Sequence, residues 1–211
     1  MSNLLYKELK LSVHWFFFVL PIMLACLMFI PGWIYSFVFM YFFWISISQI
    51  CAGYTARQDN SFNAMLPVTK KSIVQAKISA ILIIQGIHII TALVFGIIHN
   101  HLYGQANWFF DINIAFFGMM TLLYAIFNVL FLPQYFKTAY FFGKPVILGV
   151  LVTLIYVFIL EYGTFKYEFM RNIFEGDVMI QWIIVGIALA LSALLMFIAV
   201  KKSIHNYESI R

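Results

Sequence analysis

Residues 78–98 read ISAILIIQGIHIITALVFGII (Ile78 to Ile98), 21 consecutive positions without an Asp, Glu, Lys or Arg. A helix of that length rises about 30 Å, the thickness of a bilayer's hydrocarbon core. The stretch therefore predicts a transmembrane helix. It also changes the solvent in which the rest of the chain must be read.

Working outward, five further apolar runs are expected to span. They are Val13 to Ile30, Trp33 to Ala52, Ile112 to Leu132, Pro145 to Leu160, and Val178 to Val200. Pro31-Gly32 reads as a tight turn between the first two, and Pro133 as the stop of the fourth. The fifth is the shortest, and Tyr140, Phe141 and Phe142 could extend it into the interface. The expected fold is all-α: one polytopic membrane domain over residues 1–211 with six transmembrane helices.

Composition agrees with lipid as solvent. Of 211 residues, 64% are hydrophobic and 10% charged, and mean hydropathy is +0.95. Soluble domains carry about 25% charged residues. A chain this short has too little interior to hide so much apolar surface from water.

The net charge of +5 does not point to nucleic acid, which requires a clustered basic footprint. Here the basic residues sit in short turns and report topology instead. Lys7, Lys10, Arg57, Lys70, Lys71, Lys77, Lys137, Lys144, Lys201, Lys202 and Arg211 fall on one side of a six-span layout; only Lys166 and Arg171 fall on the other. Both termini are thus expected to be cytoplasmic. No acidic or basic residue is expected in the middle of a span, which argues against proton pumping and voltage sensing.

Cys26 and Cys51 are expected at depths differing by roughly 15 Å, as free thiols in packed helices. No cleavable signal peptide is expected, because the first apolar run lacks a small-residue cleavage site.

Three segments do more than span. At the amino terminus Leu5, Leu9 and Val13 recur every four residues opposite Lys7, Lys10 and His14. This suits an amphipathic interfacial helix, or simply a positively charged flank. In the loop from Tyr54 to Lys71, Phe62, Met65 and Leu66 form a small apolar stripe beside Asp59 and Asn60 as caps. Such a stripe needs a protein or lipid partner. Between Glu161 and Asp177, Phe165, Phe169 and Ile173 share one face and suggest a segment dipping into the outer interface.

These features together resemble the membrane subunits of ABC-2 type exporters, especially small six-span permeases similar to those of the phenol-soluble modulin exporter of Gram-positive bacteria. The resemblance rests on Leu4-Leu5-Tyr6-Lys7-Glu8-Leu9-Lys10, on Met65-Leu66-Pro67-Val68-Thr69-Lys70-Lys71-Ser72-Ile73-Val74-Gln75-Ala76-Lys77, and on the amphipathic stretch between spans five and six. It implies a bacterial plasma-membrane permease with an amino-terminal elbow helix and a cytoplasmic coupling helix. Its partners would be a second permease subunit, homologous or identical, and cytoplasmic ABC ATPase subunits. Asp59, Phe62, Met65, Leu66, Lys70 and Lys71 would contact the ATPase, and amphipathic peptides or similar toxins would be the cargo. The chain lacks a GxxxxGK[ST] run, so it is expected to bind no cofactor itself, with ATP and Mg on the partner.

The remaining candidates lie in the spans. Gln49, Gln85, His88 and Asn128 could bond neighbouring helices or line a substrate path. His99 and His101 are expected on an outer turn, where two imidazoles make a poor metal site. A membrane enzyme is the competing class, but no HExxH, GxSxG or carboxylate pair supports it. A stand-alone channel or scaffold is the other alternative.

Overall fold

A computed structural model describes residues 2–56, 62–63, 65, 67–104, 107–138 and 140–209. Among these the chain is helical, without strands. Helix α1 (Ser2–Lys7) widens into a π-helical turn over Glu8–Ser12. Helix α2 (Phe16–Ala25) tightens into a 3-10 turn at Cys26–Phe29. Next come α3 (Ser36–Tyr41), a π-helical stretch Phe42–Ile47, and α4 (Ser48–Ala56). The long helices follow: α5 (Lys70–Tyr103), α6 (Ile114–Lys137), α7 (Gly143–Lys166), the short α8 (Glu168–Glu175), and α9 (Val178–Glu208).

Among the described residues four helices, α5, α6, α7 and α9, are long and apolar enough to cross a membrane. The first two apolar runs are shorter, helical over Phe16–Phe29 and Ser36–Cys51, so length alone supports four spans where the sequence predicts six. The shortening of the first run has a local cause. The helix narrows to 3-10 geometry at Cys26 and then meets Gly32, which takes a positive φ of 71° at the turn.

Helix ends follow the side chains. Thr69 caps α5 by accepting from Ser72 N at 3.2 Å, and Gly104 ends it at φ 77°. Asn113 caps α6 through Phe116 N at 2.9 Å, and Asp177 caps α9 through Met179 N at 3.0 Å.

Several sequence expectations need correction. Pro133 does not stop the fourth run: α6 continues to Lys137, and the Pro133 carbonyl accepts from Asn206 Nδ2 at 2.8 Å. The fifth run is a 24-residue helix starting at Gly143, and Tyr140 lies outside it with φ 76°. His99 and His101 belong to the last turns of α5. Cys26 is exposed, and only Cys51 is buried.

Helix α9 lies along α6, and Gly118 permits the close approach. A Cβ there would stand 3.1 Å from the Val185 backbone. Gly149 of α7 similarly faces the Phe127 ring, 2.9 Å from where a Cβ would be. The core is aromatic: Phe43 stacks on Phe127 at 4.0 Å, followed along α6 by Phe131 and Tyr135, then by Tyr140 and Tyr207. This column runs from the interior to the end of the bundle where both termini gather.

Candidate functional site

That terminal end holds a buried polar cluster. Glu8 lies between two ammonium groups, Lys7 at 3.1 Å and Lys77 at 3.4 Å; the Glu8 and Lys77 side chains are 1% and 0% exposed. Lys77 also sits 5.0 Å from the centre of the Tyr140 ring. Tyr140 in turn donates to the Tyr207 hydroxyl at 3.0 Å. Lys7 reaches the other way, donating to Asn63 Oδ1 at 2.8 Å and lying 5.3 Å from the centre of the Phe62 ring.

Five segments far apart in sequence thus meet at one point. The sequence places Lys77 only among the basic residues of one side; in the structure it lies on the buried face of α5 with Ile73, Ile84 and His88. Lys7 was expected on the exposed face of an amphipathic helix; its partners hold it instead.

Phe62 and Met65 remain outward, 50% and 82% exposed. Lys70 and Lys71 are exposed on the first turn of α5. Asp59 and Leu66 lie outside the described residues.

A second polar tract crosses the interior. Gln85 and Asn128 exchange two hydrogen bonds, 3.1 and 2.8 Å, and Asn128 Nδ2 also reaches Met196 Sδ at 3.4 Å. One turn on, His88 Nδ1 and the Tyr124 hydroxyl share a hydrogen bond of 2.6 Å. The imidazole is fully buried, with Phe39 stacked against it at 5.4 Å and Phe42 at 5.6 Å. Its Nε2 has no hydrogen-bond partner among the described residues. Gln49 does not join this tract; it lies exposed on α4. A cleft of about 300 Å³ between α5, α6 and α9 passes Gln85, Tyr124, Asn128 and Ser192.

A family model described as ABC-2 family transporter protein matches residues 3–208. The chain belongs to that family. No match was found among curated proteins or among solved structures. An ABC-2 membrane protein is the permease component of an ABC transporter, not itself catalytic, and works with an ABC ATPase.

The ABC-2 chain is closed at its other end by a stitched cap. Glu161 of α7 accepts from Ser36 Oγ and from Phe110 N, the latter at 3.0 Å. Arg171 of α8 donates to the Asn107 and Trp108 carbonyls at 3.1 and 3.0 Å, and Asp111 N donates to Glu175 Oε1 at 3.0 Å. Burial raises the Asp111 carboxyl above its usual range, and burial likewise raises that of Glu175. The face shared by Phe165, Phe169 and Ile173 is split between two helices, because α7 ends at Lys166 and α8 begins at Glu168.

Sequence reasoning missed Glu8, Tyr124, Tyr140 and Tyr207. Lys77 alone carried a legible signal: it falls four residues after Ile73, seven before Ile84 and eleven before His88, on one helical face.

Proposed function

We propose that this chain is the membrane half of an ATP-driven exporter that expels amphipathic peptides or comparable membrane-partitioning toxins from a bacterial cell. In this reading the chain crosses the plasma membrane six times, with both termini cytoplasmic. Residues 2–12 lie in the cytoplasmic interface, and the permease pairs with a second copy or a related subunit.

The observation carrying this reading is the pair Phe62 and Met65, apolar and exposed in a loop whose neighbour Asn63 is fastened to the bundle through Lys7. Exposed apolar side chains at a tethered point suit insertion into a groove of a separate protein. Asp59, Leu66, Lys70 and Lys71 flank them, and closure of an ATPase dimer on this loop would tilt the helices as rigid bodies. The buried Gln85–Asn128 and His88–Tyr124 pairs bond helices together, and the cleft beside them is the proposed cargo path.

The test is purification from the native membrane in mild detergent. A co-purifying subunit with a nucleotide-binding phosphate loop and ATPase activity is expected. A lone chain, or one that itself hydrolyses a substrate, would overturn the reading.

A further inference from the structure

The cluster at the terminal end has a property that structural glue does not require: it is a single chain of contacts through every segment gathered there. Asn63 in the loop holds Lys7, Lys7 holds Glu8, Glu8 holds Lys77 of α5, Lys77 lies against Tyr140 of the α6–α7 turn, and Tyr140 holds Tyr207 of α9. From Tyr140 the aromatic column continues through Tyr135, Phe131 and Phe127 to Phe43, which touches Tyr124, the partner of His88. The loop is thereby connected to the interior polar tract without a gap.

We infer that Glu8 and Lys77 form a rigid joint that transmits displacement at Asn63 to α5, Tyr140 and α9, making both of them positioning residues for transport. The inference rests on the proposed function and specifies where the drive enters the bundle.

Desolvation holds the pair together. An ion pair removed from water persists only while both charges are compensated: without Glu8 the buried Lys77 loses its carboxylate, and without Lys77 the carboxylate turns to Lys7 and lets go of α5. Glu8 and Lys77 therefore stay together under loads that would separate a more exposed pair, such as Arg171–Glu175 at 40% and 11% exposure. Glu8 compensates two lysines, and the Tyr140 face supplies further negative potential to Lys77. The α1 end and α5 then move as one body. Loops attached elsewhere on the bundle could flex without such an effect.

The full complex with its ATPase, reconstituted in vesicles with a fluorescent amphipathic helical peptide as probe, tests the joint. In Lys77→Met and Glu8→Gln, ATP hydrolysis should persist while peptide moved per ATP falls about tenfold or more. The exchange Glu8→Lys with Lys77→Glu should restore part of the coupling. Unchanged peptide movement per ATP in folded Lys77→Met overturns the joint alone. Failure of the wild-type complex to move the probe overturns the exporter reading, and the joint with it.

Where the variants do not fold, spin labels at Leu4→Cys and Ser72→Cys in an otherwise cysteine-free chain decide. Their separation should stay constant within about 2 Å between nucleotide-bound and nucleotide-free complexes, the scale of ordinary helix shifts. A larger change shows the joint opening and overturns it.

Discussion

Gln85 and Asn128 face each other across α5 and α6 with both side-chain amides satisfied twice over, each donating to the other's oxygen. Such reciprocity locks two helices in register, because neither amide can leave without stranding its partner in a buried site.

Asn128→Leu should therefore destabilise the bundle by about 1–2 kcal/mol, while the double variant Gln85→Leu/Asn128→Leu should cost less than the sum of the singles. Thermal unfolding of the four proteins of that cycle measures the coupling. Strict additivity would mean that the pair contributes no mutual stabilisation.

Phe62→Ala combined with Met65→Asp should remove the apolar tip of the loop without disturbing the helices, since both side chains are exposed. The expected result is an unchanged melting temperature together with loss of ATPase association. Retained association would place the contact elsewhere on the chain.

Gly118 allows α6 and α9 to touch. Gly118→Val places new atoms against the Val185 backbone, where even a Cβ would stand at 3.1 Å. The helices must separate, at a cost of about 1–3 kcal/mol. The same change at Gly86, where a Cβ would meet no described atom of another element within 4 Å, should be nearly neutral on packing grounds. Melting temperatures of the two variants provide the comparison.

The opposite end should respond to pH. Asp111 and Glu175 have carboxyls raised above their unfolded values by burial, so the folded state binds protons more tightly than the unfolded one. Their contribution is fully present below the ordinary carboxylate range, about pH 4, and is lost as pH rises through the folded values. Amide exchange of residues 107–113 and 168–175 should thus slow, after correction for intrinsic rates, as pH falls from 7 toward 4. Asp111→Asn with Glu175→Gln should flatten that dependence.

Span-forming segments and the long helices were legible because lipid imposes one strong rule, about 20 apolar residues per crossing, which Ile78 to Ile98 obeys without interruption. Helix ends were less so. Pro133 reads as a stop, yet α6 passes through it to Lys137, and its carbonyl accepts from Asn206, 73 residues away. The runs Val13 to Ile30 and Trp33 to Ala52 read as spans like the others; the 3-10 and π-helical turns within them carry no simple sequence signature.

The candidate site divided in the same way. Phe62 and Met65 were visible as a local stripe at helical spacing, and Gln85, His88 and Asn128 as polar groups in apolar runs. Glu8 was not, because its significance depends on Lys77, 69 positions later. Pairing across such a distance leaves no trace in local periodicity, nor does the way Tyr140 turns inward over Lys77 from a positive-φ position.

The most direct measurement is ATP-dependent movement of an amphipathic peptide across vesicles containing this chain and its ATPase. The account predicts accumulation on the side opposite the ATPase, dependent on hydrolysis and abolished by Phe62→Ala/Met65→Asp. Equal peptide movement with and without ATP, or full transport by that variant, would contradict it.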